Sequence, residues 1–348
     1  MKFNVTKIRA TLATVSVAVM LSTSGLAQAA ELQTAKIFYP GAFGWAGGFE
    51  LVEVADAKGF FKKHGIDAQL TTLPWDQYTV ALDSGAIDFA PYADYAYFIN
   101  VYDKGVKAKE VVSSTLPFDP RNAGDALVVD ASGPIKSGED LKGKKIGTVN
   151  PSFSGVWFVL DWLGKKGITK DDVTIVTIPQ AQLEQVLKQG GVDAIIAYSP
   201  LDAELRRRKD EGFRELFQWT DVAGRPVLRG GTMASEKTIA ERPDLVKGYV
   251  AAIAEAADWA NGHPADVVKL GIERGRIAAD LAPYIYTRDG KGDYSTLSWS
   301  THGLNKEADI AFWLDVVERA GIVPKGRHKP SDFYTNEFNP HADKTASN

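Results

Sequence analysis

An apolar, β-branched run at residues 146–149 stops at Asn150-Pro151-Ser152, and a helical pattern follows in which Val156, Val159, Leu160 and Leu163 share a face. Ser152 or Ser154 then falls at or near the helix N-cap, where a hydroxyl accepts from unpaired backbone N–H groups. Those donors, with the positive end of the helix dipole, can instead hold an anionic group. No acidic residue stands in that first turn; the nearest are Asp140 and Asp161. The amide of Asn150 can donate or accept. Residues 150–155 are therefore expected to meet an anionic or strongly accepting end of a ligand. Comparable loops carry Trp45, Trp75 with Gln77, Tyr92, Tyr198 with Ser199, and Arg229. Rich in aromatics and neutral hydrogen-bonding groups, they suit a small, partly apolar molecule. Arg121 and Arg225 are further candidates for gripping an anion. The plainer alternatives are an ordinary capped turn, tryptophans covering the edges of the fold, and surface arginines.

Constellations for covalent or metal chemistry do not occur in the sequence. Cysteine is absent, and the five histidines, His64, His263, His302, His328 and His341, show no paired metal-ligand spacing. No Gly-x-Ser-x-Gly elbow is found, and the glycine-rich stretch 41–48 lacks the lysine and hydroxyl of a phosphate-binding loop. Asp83, Asp88 and Asp193 read as turn and strand-end residues. No catalytic residue, metal ligand or cofactor is assigned, and an enzyme is not expected.

The elements that position these loops alternate. Strands are expected at 35–39, 67–73, 87–90, 106–114, 126–129, 146–149, 173–178 and 192–198. Helices are expected at 49–63, 76–83, 93–102, 153–165, 180–189 and 201–209. Such alternation predicts a mostly parallel sheet with helices on both faces. Gly/Pro-bearing crossings at 116–125 and 223–226 divide the chain, and it is almost wholly helical after residue 235, with a long helix at 243–260. Segments 30–120 and 229–348 would then share one lobe and 121–228 form the other, with a cleft between them. Ahead of all this, Lys2, Lys7 and Arg9 precede an apolar stretch and Ala27-Gln28-Ala29, the form of a cleaved signal peptide at residues 1–29. No lipid-anchoring cysteine stands at the cleavage point, so a soluble periplasmic protein is expected. Hydrophobic content of 45%, charged content of 24% and a net charge of −4 are ordinary for a globular chain. Without a basic stripe, nucleic acid and anionic membranes are not expected partners; the run Arg206-Arg207-Arg208-Lys209 reads as a solvated helix face.

Four pieces, in order, carry a family resemblance. They are 57–66 (AKGFFKKHGI), 81–90 (ALDSGAIDFA), 135–147 (IKSGEDLKGKKIG) and 190–194 (GGVDA). Together they resemble type II periplasmic substrate-binding proteins of ABC transporters, in the nitrate/sulfonate/taurine-binding and thiamine-precursor-like (NMT1/THI5-like) group. The resemblance covers roughly residues 36–235. It implies an α/β fold of two lobes, with mixed sheets flanked by helices and a hinged cleft. It further implies capture of a small solute without cofactor and delivery to an inner-membrane permease with its ATPase. A monomer is expected. Sulfonate binders of this group commonly carry Trp-Asp-Pro where this chain has Tyr198-Ser199-Pro200, so a ligand without a cationic end is favoured over taurine. The ligand expected is an anionic, aliphatic sulfonate-like solute; the alternatives are an aromatic carboxylate, a pyrimidine-type ligand, or a cofactor-free enzyme on the same fold. The pyrimidine synthases of thiamine biosynthesis use a cysteine-rich motif that is missing here.

Overall fold

Apolar runs gather into three sheets in the computed structural model, which describes residues 31–40, 47–75 and 77–343. The leader, Trp45 and residues 41–46 of the glycine-rich loop lie outside the described residues. Strands β1 (Gln33–Phe38) and β2 (Ile66–Thr71) pair in parallel. A bridge from Ile37 to Phe89 ties them to the chain entering β3 (Ala90–Asp94), which is followed by β4 (Ala108–Val112). The middle of the chain supplies β5 (Ala126–Asp130), β6 (Lys145–Thr148), β7 (Thr174–Thr177), β8 (Ala194–Ala197) and β9 (Phe213–Gln218). They form one mixed sheet in the order β7-β6-β8-β5-β9. The chain then returns as β10 (Gly230–Ser235), which lies antiparallel between β3 and β4.

That return strand corrects the expected mostly parallel sheet: β10 and β5 each run against both of their neighbours. Close approach is possible because β10 begins with two glycines. A Cβ on Gly230 would come 1.9 Å from the Ala93 carbonyl oxygen, and one on Gly231 would come 2.1 Å from that of Val112. Residues 87–90, expected as a strand, are mostly the approach to one. Asp88 accepts from the Lys36 N–H at 2.8 Å and pairs with Arg242 at 2.6 Å, fixing the turn ahead of β3. The helix expected at 49–63 breaks into Glu50–Ala57 and Phe60–Lys63, because Gly59 takes φ +74 between them. Strand β9 had no counterpart in the sequence reading; its charged residues Arg214 and Glu215 mask the alternation.

Twelve α-helices pack around the sheets among the described residues, the longest being Pro243–Gly262. None is long and apolar enough to cross a membrane. Charge is buried as well as apolar surface. Glu50 and Glu53, both fully buried, meet Arg276 at 3.3 Å and 2.8 Å. The hydroxyls of Tyr286 and Tyr39 donate to them, at 2.7 Å each. Arg206 also corrects the reading of residues 206–209 as a solvated face. It is buried, meets Glu215 at 2.7 Å, and donates to the carbonyl oxygens of Gly124 and Tyr284. A guanidinium taken from water needs such partners on several of its N–H groups.

Candidate functional site

Side chains from the ends of five strands converge on a cavity of about 210 Å³. Trp75 comes from the turn after β2, and Tyr92 and Asp94 from β3. Asn150, Ser152 and Ser154 follow β6, Tyr198 follows β8, and Arg229 stands immediately before β10. Ser199 lines a smaller neighbouring cavity of about 40 Å³, which shares Tyr92, Asp125 and Arg229 with the first. Gln77 does not join them: it stands exposed at the N-cap of the helix Tyr78–Ser84. Of the other arginines, Arg121 pairs with Asp119 and Arg225 with Asp309, and neither lines either cavity.

One wall is aromatic. Trp75 packs edge-on to Tyr92 with ring centroids 5.1 Å apart, and Tyr198 packs edge-on to Phe153 at 5.7 Å. Trp219 closes the wall behind Tyr198. Edge-to-face packing of this kind fixes ring planes and leaves faces for a flat ligand. The helix Ser154–Gly164 reaches the wall through Gly155, where a Cβ would fall 2.8 Å from both the Tyr198 hydroxyl and the Trp219 ring. Burial first, then the carboxylates of Asp125 and Asp94, holds the Tyr198 hydroxyl far above the usual phenol range, so it stays neutral.

The other wall is charged: the sequence pointed to Arg229 but not to the two acids beside it, Asp94 and Asp125. Asp94 caps the helix Tyr95–Asp103, accepting from the Tyr97 N–H at 2.7 Å. Its second oxygen accepts the Ser154 hydroxyl at 2.9 Å. The first turn of the helix Ser154–Gly164, expected to lie open to a ligand anion, is thus faced by a carboxylate from another element. Its N-cap is Phe153, without a side-chain cap bond, so neither serine caps it. Asp125 accepts from the Ser199 N–H at 2.9 Å. Burial raises both carboxyls above the usual range, and Arg229 only partly offsets it. The Arg229 guanidinium lies 4.7 Å from the Tyr92 ring centre and 4.9 Å from that of Phe118, and it donates to the Tyr92 hydroxyl. Its buried Nε has no hydrogen-bond partner among the described residues. Burial opposes its charge, but Tyr92, Asp94 and Asp125 outweigh that and raise its pKa. Two carboxyls and one guanidinium inside an aromatic box can bind a ring bearing N–H donors at one edge and an accepting group at another. An aspartate directly before a helix was the one local signal that could have revealed Asp94.

Comparison with known proteins agrees with this architecture. A Brucella abortus (strain 2308) protein named as a candidate binding protein is 29% identical over 297 residues, covering 84% of this chain and 88% of its own. The 4-amino-5-hydroxymethyl-2-methylpyrimidine phosphate synthase of Candida albicans (strain WO-1) is 26% identical over 302 residues, 82% of this chain and 83% of its own. Among solved structures, the periplasmic aliphatic sulphonate binding protein of Escherichia coli superposes with a TM-score of 0.64. It is 19% identical and covers 84% of this chain and 89% of its own, which gives the periplasmic binding protein fold. The family described as NMT1/THI5 like matches residues 49–267, well over half of the sequence. The chain belongs to the NMT1/THI5-like family.

Proposed function

We propose that the chain is the solute-binding component of an ABC importer, working in the periplasm after removal of residues 1–29. Segments 30–120 and 229–348 would form one lobe and 121–228 the other. Closure over the ligand would present both to an inner-membrane permease and its ATPase. It acts by binding, without chemistry or cofactor. The ligand we propose is a pyrimidine-type ring with an exocyclic amine, in preference to a simple aliphatic sulfonate. One observation carries that choice: Asp94 and Asp125 stand together in an aromatic cavity, with Asp94 lying where the anion was expected. An ionised carboxyl accepts from an amino group and a protonated ring nitrogen; a neutral one donates to the unprotonated ring nitrogen and accepts from the amine. Either form pairs with an aminopyrimidine edge, whereas a sulfonate there would face a carboxylate. The name of the Candida relative supports the same class.

Arg229 favours one specific second reading, in which an acidic group on the ligand reaches its unpartnered Nε. Native mass spectrometry of the protein as purified, followed by calorimetry with aminopyrimidines, aromatic carboxylates and alkanesulfonates, separates the two. Aminopyrimidines should bind most tightly and be returned unchanged. Preference for a sulfonate would sink the pyrimidine assignment, and turnover of the bound ligand would sink the binding role.

A further inference from the structure

The five histidines are far apart in sequence, but the fold brings two of them together. His302 lies in the short turn Thr301–Gly303, His341 in the C-terminal segment, and Asp258 on the helix Pro243–Gly262. The two imidazoles stack with centroids 4.0 Å apart and planes inclined by 24°; since a ring nitrogen binds an ion in its ring plane, joint ligation requires one ring to turn out of this stack. Ligating atoms of all three residues lie within 4.8 Å of one another. Asp258 grips His302 at two points. One oxygen accepts its backbone N–H at 2.8 Å, and the other meets Nδ1 at 2.6 Å. Asn339 joins the two histidines from the far side. Its amide donates to the His302 carbonyl oxygen at 2.8 Å, and its side-chain oxygen accepts the His341 N–H at 2.9 Å.

Backbone conformation marks the same spot. His302 takes φ 57 and ψ 14, and it is the only non-glycine residue with positive φ among those described. That left-handed region is uncommon for residues with a side chain and persists only where surroundings impose it. His64 and His328 provide the contrast: each meets one carboxylate, Glu255 at 2.8 Å and Asp103 at 2.7 Å, with no second histidine gathered there among the described residues.

We propose that His302 and His341 bind a divalent transition-metal ion of the zinc, nickel or copper kind, with Asp258 orienting His302 from outside the coordination shell. Imidazole suits these ions better than magnesium or calcium, which prefer oxygen. A carboxylate on the remaining ring nitrogen is the usual support for a ligating histidine. The 2.6 Å separation makes Asp258 that support, since two donors each about 2.0–2.2 Å from one tetrahedral ion stand farther apart than this. Water completes the shell, because Asp258 is exposed and both histidines are partly so. The bound ion would pin residues 339–343 to the turn Thr301–Gly303, which Asp258 ties to the long helix, and stabilise the folded chain.

Untagged, chelator-stripped protein titrated calorimetrically with Zn²⁺ or Ni²⁺ should take up one ion per chain, with a rise in melting temperature. Cu²⁺ should give an electron paramagnetic resonance spectrum with nitrogen hyperfine splitting. His341→Ala should lower affinity at least tenfold, and Asp258→Asn about tenfold. His302→Gly removes the imidazole while suiting the left-handed backbone, so it separates lost binding from lost folding. No uptake by the parent, or undiminished uptake in the His302→Gly/His341→Ala double variant, would overturn the site.

Discussion

Asp94 and Trp75 are the two side chains whose replacement says most about the cavity. Asp94→Asn keeps one oxygen for the Tyr97 N–H and turns an amide N–H toward the Ser154 hydroxyl, which can rotate to accept it, while the charge is removed. Aminopyrimidine affinity should fall at least tenfold, about 1.4 kcal/mol, with the melting temperature nearly unchanged. Equal affinities by calorimetry would move the donor edge of the ligand to Asp125. Trp75→Ala should weaken ring-bearing ligands by a similar factor. If instead only the melting temperature drops, the indole serves its packing against Phe38 and Tyr92. The aromatic wall was legible in the sequence, since Trp75, Tyr92 and Tyr198 all follow or end apolar runs and do converge. The acid wall was not. Ser154 finds Asp94 across sixty residues of sequence, and no local pattern reports a partner that distant.

At the scale of elements, glycines decide how closely backbone approaches the cavity. Gly155→Ala would drive a methyl against the Tyr198 hydroxyl and the Trp219 ring. Overpacking of this kind costs about 1–3 kcal/mol. Denaturation should show the loss together with weakened binding, and a variant with both properties intact would mean that the wall yields freely. Most element positions were readable from periodicity and turn residues. The helices Ser154–Gly164 and Gln180–Lys188 lie within a residue of expectation. Strand β3 was displaced because Pro91-Tyr92-Ala93-Asp94 resembles a turn in composition, yet it is held in the sheet by β10, more than a hundred residues onward. Sheet direction was unreadable for the same reason: local alternation suggests crossovers and cannot show a strand inserted later between two earlier ones.

Across the whole molecule, buried charge makes stability depend on pH. Asp202 is pushed up from 3.8 to about 7, chiefly by burial, with Asp125 adding and Arg206 opposing. Arg206 stands nearer Glu215, at 2.7 Å against 3.4 Å for Asp202, and so leaves Asp202 poorly compensated. The unfolded chain loses this proton near pH 4 and the folded chain only near pH 7. In that window Asp202 holds its proton in the folded state and not in the unfolded one, so its contribution to stability falls as pH rises from about 4 to 7. Urea denaturation across this range should show the decline in the parent and a flatter profile in Asp202→Asn; identical slopes would assign it to another group. The return of β10 has a consequence for synthesis on the ribosome. Until Gly230–Ser235 has been made, β3 and β4 have no strand between them. Until Arg276 has been made, Glu50 and Glu53 have no cation. A buried carboxylate left without its partner costs about 3–5 kcal/mol. The nascent chain therefore cannot complete its β3-β10-β4 sheet or seal its first helix for most of translation, and it stays a substrate for holding chaperones and proteases. Stalled chains ending near residue 220 should be cut readily by a protease, whereas chains with residues 1–300 clear of the exit tunnel should resist.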